Sequence, residues 1–130
     1  MTACILVIND QPAILDLYYD LLNSDDYELE LSDYTFETLQ TIERLNPTLI
    51  ILDFPVLNRA RVWQLLDQLK MHLATASIPL ILCSAARSDV REQEDYLQQQ
   101  GIVIYYKPFH PEAFIQTVQQ MIHSPIRKAC

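Results

Sequence analysis

Short apolar runs alternate with longer stretches of helical periodicity along the whole of this 130-residue chain. The runs that we assign to strands are "ACILVI", "YELELS", "TLIIL", "IPLILC" and "IVIYY". Most of them are continuous and rich in β-branched residues, which is typical of strands buried on both faces of a parallel sheet. The second run alternates apolar and polar residues, as an edge strand does. The pattern therefore predicts an α/β protein built around a parallel sheet.

Between these runs, apolar residues recur every three or four positions, which predicts helices that are buried on one side. Four of these apolar stripes span residues 14–22, 36–45, 62–69 and 114–122. A further helix, fourth in chain order at about Ser88 to Gln100, has few apolar residues and is expected to be loosely packed. Gly101 suits the left-handed position that closes it. Five strands that alternate with five helices predict a doubly wound, five-stranded parallel sheet of order 2-1-3-4-5.

Composition limits the classes of function that this chain can have. Lys and Arg total 9 against 17 Asp and Glu, and the net charge is −8. Such a charge repels nucleic-acid phosphates, so we expect no nucleic-acid partner. No apolar run is long enough to cross a membrane, and the first run is interpreted as a strand rather than a signal peptide. We therefore expect a cytoplasmic protein with one domain at residues 1–124, a short tail at residues 125–130 and no further domain.

Side chains that can carry chemistry follow four of the predicted strands. Asp10 and Asp53 follow the first and third strands, and Ser84 and Lys107 follow the fourth and fifth. The predicted strand order places strands one and three side by side at the point where the order reverses, which is where such sheets bind ligands. Two carboxylates at that edge repel each other unless a cation such as Mg²⁺ lies between them. Each residue alone has a structural alternative, as a helix cap, a turn residue or a solvated surface charge.

Four short motifs in this order resemble the receiver domain of two-component response regulators. They are "IND" after strand one, "LDF" after strand three, "CSA" after strand four and "YKPF" after strand five. The resemblance covers nearly the whole chain and implies a flavodoxin-like three-layer sandwich. It implies that Asp53 accepts a phosphoryl group with Mg²⁺ bound, while Ser84 and Lys107 contact the phosphate. It further implies a cis peptide bond before Pro108.

By the same resemblance, the metal ligands are Asp10, Asp53 and the backbone carbonyl of Pro55, with Asn9 binding weakly or through water. The implied partners are a sensor histidine kinase or phosphotransfer protein and a downstream protein target. The surface formed by the fourth helix, the fifth strand and the fifth helix would change on phosphorylation, and a homodimer could form through it. No conventional enzyme activity is implied beyond self-catalysed phosphoryl transfer to Asp53.

Several residues depart from the usual pattern of the family. Asn9 stands where a second acid is usual, which removes one negative charge from the metal site. Pro55 has no backbone N–H to offer a phosphoryl oxygen, and Ile104 stands where the family has its switch aromatic. These departures leave open a pseudo-receiver that binds partners without phosphorylation. A flavodoxin-like binder of flavin or nucleotide is disfavoured, since Gly101 is the only glycine and no glycine-rich phosphate loop exists.

Overall fold

The computed structural model describes residues 3–23, 27–33, 39–54, 59–85 and 90–123. Its strands are β1 (Ala3–Ile8), β2 (Tyr27–Ser32), β3 (Leu49–Asp53), β4 (Leu80–Ser84) and β5 (Ile102–Tyr106). Its helices are α1 (Pro12–Leu22), α2 (Leu39–Leu45), α3 (Arg59–Met71), α4 (Leu73–Ala76), α5 (Glu94–Gln99) and α6 (Pro111–Ile122). All neighbouring strands are parallel, and their order is β2-β1-β3-β4-β5. The predicted fold and strand order are confirmed.

The central strands separate two apolar cores, because successive side chains of a strand point to opposite faces of the sheet. In β1, Ile5 and Val7 belong to the core that contains residues of α1 and α6. Leu6 and Ile8 belong to the other core, which contains residues of α2, α3 and α5. All residues of β3 and β4 are buried. The sheet is thus covered on both faces, as the continuous apolar runs predict.

The helices differ from the sequence prediction in two places. The one-turn helix α4 was not predicted, and it lacks an apolar stripe because Leu73 is 94% exposed. Its buried residue, Thr75, donates a hydrogen bond of 2.7 Å to the carbonyl of Leu69 in α3. The helix expected at residues 88–100 is interrupted, since residues 90–91 are helical, residues 92–93 form a turn, and α5 begins at Glu94. The predicted fourth and fifth helices therefore correspond to α5 and α6.

Two backbone predictions are confirmed at either end of β5. Gly101 has a φ of 79° and follows α5, in the left-handed conformation that glycine adopts without strain. The peptide bond between Lys107 and Pro108 is cis. Within the described part of the chain, no helix is both long and apolar enough to cross a membrane. The predicted tail at residues 125–130 lies outside the described residues.

Candidate functional site

Asp53 lies at the end of β3, and its carboxylate is almost completely buried, with 2% of the side chain exposed. Side chains from different elements of the described chain contact this carboxylate. They include Asn9 after β1, Tyr18 in α1 and Lys107 after β5. The edge of the sheet therefore carries a site centred on one aspartate, at the place where β1 and β3 are neighbours.

The ion pair between Lys107 and Asp53 joins two strand ends that the sequence predicted to be functional. The Nζ atom of Lys107 lies 2.6 Å from Oδ2 of Asp53, and 27% of the lysine side chain is exposed. The backbone N–H of Lys107 donates a 2.8 Å hydrogen bond to the carbonyl of Ser84, which fixes the end of β5 against the end of β4. The ammonium group thus lies between the buried carboxylate and solvent, where it can also contact an incoming anion.

Asn9 is bonded at both ends of its side-chain amide. Its Nδ2 atom donates to Oδ1 of Asp53 at 2.9 Å and to the carbonyl of Asp53 at 3.2 Å. Its Oδ1 atom accepts a hydrogen bond of 2.9 Å from the backbone N–H of Gln11. A carboxylate at position 9 could make neither bond to Asp53, because an ionised carboxylate has no donor. Asn9 therefore stabilises the charge of Asp53 in the absence of a cation, and its expected role as a weak or water-mediated metal ligand stays a prediction.

Tyr18 is the site residue that sequence reasoning missed. Its hydroxyl donates to Oδ2 of Asp53 at 2.5 Å, the same oxygen that Lys107 contacts, and the residue is 3% exposed. Burial raises the pKa of Tyr18 above its ordinary value, and the Cys83 thiol and the Asp53 carboxylate raise it further. The phenol therefore stays protonated and acts as a donor. A signal existed in the sequence, because a tyrosine in an apolar helix stripe needs a partner for its hydroxyl.

The side chain of Asp10 has a feature that fits the binding of a cation. Among the side chains of the described residues, its Oδ1 is a buried oxygen without a hydrogen-bond partner. The charge of Asp10 contributes to raising the pKa of Asp53, so the two carboxylates lie within electrostatic range of each other. A buried, unpartnered carboxylate oxygen beside a second carboxylate fits a hard cation such as Mg²⁺. The residues present are therefore compatible with the metal that the resemblance implies.

The remaining predicted site residues are placed as follows. Ser84 ends β4 and is fully buried, one residue beyond the Asp53–Cys83 pair in the register of β3 and β4. It therefore lies at the same edge of the sheet as Asp53. Pro55, predicted as a metal ligand through its carbonyl, lies outside the described residues. The structure thus brings together Asp53, Lys107 and Asn9 by direct contact, with Asp10 and Ser84 at adjacent strand ends.

The electrostatics of the site favour a partly desolvated nucleophile. Burial raises the pKa of Asp53 above its ordinary value, and the hydrogen bonds from Lys107 and Tyr18 lower it without cancelling the effect of burial. Burial likewise raises the pKa of the neighbouring Cys83 thiol to about 12, so this cysteine stays neutral. The negative charge of the site is therefore concentrated on Asp53 and Asp10, and both benefit from a positive ion.

An aromatic cluster and a cavity border the site. The ring of Phe114 in α6 lies 6.0 Å from that of Tyr18, 5.2 Å from that of Tyr105 and 4.6 Å from that of Phe109. Beside these rings is a largely apolar cavity of about 540 Å³. Its walls include Ile14, Leu17, Tyr18, Leu21, Lys107 and Phe109. Tyr18 and Lys107 therefore contact the carboxylate on one side and border this cavity on the other.

Comparison with known proteins gives concordant matches. A family model described as the response regulator receiver domain matches residues 5–119. The chain is 30% identical over 124 residues to the circadian input-output histidine kinase CikA of Synechocystis sp., and this match covers 95% of the chain. It covers only 16% of that kinase, so the chain spans about a sixth of the length of this curated relative.

Solved structures of similar fold have lower sequence identity. A CheY-like receiver domain protein from Methanospirillum hungatei has a TM-score of 0.78 at 20% identity, covering 98% of this chain and 99% of that one. The chemotaxis response regulator CheY4 of Vibrio cholerae has a TM-score of 0.71 at 22% identity, covering 93% of this chain and 99% of that one. These similarities support the same five-stranded architecture.

Proposed function

The chain belongs to the family of response regulator receiver domains of two-component systems, and we propose that it accepts a phosphoryl group on Asp53 with Mg²⁺ bound. The observation that carries this proposal is the 2.6 Å contact between Lys107 and Oδ2 of Asp53 at the carboxyl edge of the sheet. A carboxylate held there by a partly exposed ammonium group can act as a nucleophile, and the ammonium can contact the transferred group.

In the proposed reaction, a carboxylate oxygen of Asp53 attacks the phosphorus atom of a phosphodonor. The new O–P bond forms an acyl phosphate, while the bond between phosphorus and the leaving group of the donor breaks. The leaving group keeps the bonding electron pair and takes up a proton; for a phosphohistidine donor it is the imidazole. Lys107 exchanges part of its contact with Asp53 for contact with a phosphoryl oxygen, and the Ser84 hydroxyl contacts another.

Asp10 and Asp53, with the carbonyl of Pro55, would hold the metal, and Asn9 would contribute weakly or through water. When bound, Mg²⁺ offsets the negative charges of carboxylate and phosphoryl group as they approach each other. Support for this assignment comes from the buried Oδ1 of Asp10, which has no hydrogen-bond partner among the described residues. The Asn9 amide donates a hydrogen bond to Asp53 and so stabilises its carboxylate without a metal. Because Asn9 is uncharged, the site carries one negative charge fewer than a site with two acids after β1.

We infer that the phosphodonor is a sensor histidine kinase or a phosphotransfer protein and that the recipient of the signal is another protein. The similarity to a protein named as a histidine kinase supports a place in a phosphorelay. The output surface would consist of α5, β5 and α6. In α5 only Leu97 is buried, so this helix has little packing energy to oppose a change of position. A second copy of the chain is one partner that this surface could bind.

The second candidate function is a pseudo-receiver that binds its partners without phosphorylation. The observation that favours it is the bonding of Asp53, whose two carboxylate oxygens contact Asn9, Tyr18 and Lys107 while the side chain is only 2% exposed. A nucleophile held in this way reacts only if some of these contacts are released. The two functions therefore differ in whether Asp53 can be modified.

Intact-mass measurement after incubation with acetyl phosphate and Mg²⁺ tests the proposal. We expect the wild type to gain one phosphoryl group and Asp53→Asn to gain none. Asp67→Asn, which removes an exposed carboxylate of α3, is the matched control and is expected to behave like the wild type. A folded wild-type protein that gains no phosphoryl group would favour the pseudo-receiver.

A further inference from the structure

We propose that Tyr18 is a positioning residue that holds the Asp53 carboxylate in an unreactive arrangement and must be displaced before the site binds Mg²⁺ or reacts. Oδ2 of Asp53 receives the hydroxyl of Tyr18 at 2.5 Å and the ammonium of Lys107 at 2.6 Å. A carboxylate oxygen has about two lone-pair sites, so these two donors occupy both of them.

The Tyr18 bond differs from the Lys107 bond in what happens to it during phosphoryl transfer. As the carboxylate attacks phosphorus, it loses negative charge and becomes a poorer hydrogen-bond acceptor. The ammonium of Lys107 keeps a favourable partner, because negative charge moves to phosphoryl oxygens that it can contact. The neutral phenol of Tyr18 stabilises the unreacted carboxylate more than the transition state, and such a contact slows the reaction. The Tyr18 hydroxyl also opposes the binding of a cation to Oδ2, because it occupies a lone-pair site of that oxygen.

The surroundings of Tyr18 allow it to move away. One side of the residue borders the apolar cavity of about 540 Å³, which is large enough to receive a displaced phenol ring. Its ring packs against that of Phe114 at a centroid distance of 6.0 Å, so a shift of Tyr18 would change the packing of α6. The donor of the Tyr18 bond therefore has adjacent space into which it can withdraw.

Tyr18→Phe removes the hydroxyl while retaining the buried ring, and Tyr19→Phe is the matched control. Tyr19 is the next residue of the same helix and is 47% exposed. Thermal melting of both variants establishes that each is folded. The first readout is the Mg²⁺ dissociation constant, measured through the fluorescence of Trp63. The ring of Trp63 lies 5.6 Å from that of Phe54, which is the residue after Asp53. The second readout is the rate of phosphorylation by acetyl phosphate with saturating Mg²⁺.

We expect Tyr18→Phe to bind Mg²⁺ several-fold more tightly than the wild type and to be phosphorylated about tenfold faster. Tyr19→Phe should match the wild type in both measurements. An unchanged or weaker Mg²⁺ affinity together with an unchanged or slower rate in Tyr18→Phe would overturn the lock. A slower rate in particular would show that the hydroxyl assists the reaction.

The rate measurement rests on the proposed function, whereas the Mg²⁺ measurement does not. If neither the wild type nor Tyr18→Phe gains a phosphoryl group, but the variant binds Mg²⁺ more tightly, the lock is supported and the phosphoacceptor function fails. If only Tyr18→Phe is phosphorylated, the lock is supported in its strongest form. If both proteins are phosphorylated at one rate and bind Mg²⁺ equally, the phosphoacceptor function stands and the lock is wrong.

Discussion

The ammonium group of Lys107 lies 2.6 Å from Oδ2 of Asp53, at the meeting point of two strand ends that are distant in sequence. This contact places a fixed positive charge on a carboxylate whose pKa is raised by burial.

Replacement of Lys107 by Met is expected to slow phosphorylation of Asp53 by about 100-fold or more. The ammonium group is a positive charge in contact with the reacting carboxylate, and removal of one such electrostatic contact typically has an effect of this size. The initial rate of phosphoryl gain by intact mass measures the change. Lys70→Met is the control, because it is the same substitution at a lysine of α3 that lies away from the site. A wild-type rate in Lys107→Met would show that the ion pair has no part in the reaction.

Replacement of Asn9 by Asp is expected to have opposite effects on stability and on metal binding. Without Mg²⁺, the variant loses the hydrogen bonds from Nδ2 to Asp53 and adds a repelling charge, so its free energy of unfolding should fall by about 1–3 kcal/mol. With the extra carboxylate, Mg²⁺ should bind about tenfold more tightly. Urea unfolding with and without Mg²⁺ measures both effects.

Asn23→Asp is the control for the Asn9 variant, because Asn23 is exposed at the end of α1. It should leave Mg²⁺ affinity unchanged. Asn9→Asp with the Mg²⁺ affinity of the wild type would argue against a metal site at the end of β1.

Replacement of Lys70 by Met is expected to stabilise the protein in a pH-dependent way. Burial lowers the pKa of Lys70 below its ordinary value of 10.5, so the folded state holds this proton less tightly than the unfolded state. The loss of stability caused by burying the protonated amine is complete below the lowered pKa. It disappears as the pH rises from there towards 10.5. Lys70→Met should therefore have a higher free energy of unfolding than the wild type near neutral pH, and the difference should shrink in alkaline solution.

Urea unfolding over a series of pH values measures this difference, with Arg44→Met as a control that removes an exposed cation from α2. A stabilisation by Lys70→Met that stays constant as the pH increases would show that lost charge burial is not its cause.

The fold was predictable because its signals are local. Four apolar runs and one alternating run identified the five strands, and an apolar stripe identified each long helix. The one-turn helix α4 carries no such signal, since Leu73 faces solvent and only Thr75 is buried. The predicted fourth helix is interrupted by a turn at residues 92–93 for a related reason. A stripe as thin as that of Val90 and Leu97 gives little packing energy to keep a long helix continuous.

The site was predictable as far as strand ends determine it. The parallel direction of the strands placed Asp53 and Lys107 at one edge of the sheet, and their direct contact agrees with that placement. The hydrogen bonds from Asn9 and Tyr18 depend instead on side-chain rotation and on how α1 packs against the sheet. Periodicity predicts that one of two adjacent tyrosines is buried, but it does not predict where the hydroxyl of that tyrosine ends.

The most direct test of the account locates the phosphoryl group on the chain. The protein is incubated with acetyl phosphate and Mg²⁺, the acyl phosphate is reduced with borohydride, and the peptides are sequenced by mass spectrometry. Reduction converts a phosphorylated aspartate to homoserine, so the account predicts homoserine at position 53 and an unmodified aspartate at position 10. An unmodified Asp53 in a folded, Mg²⁺-treated protein, or a phosphoryl group attached to any other residue, would contradict it.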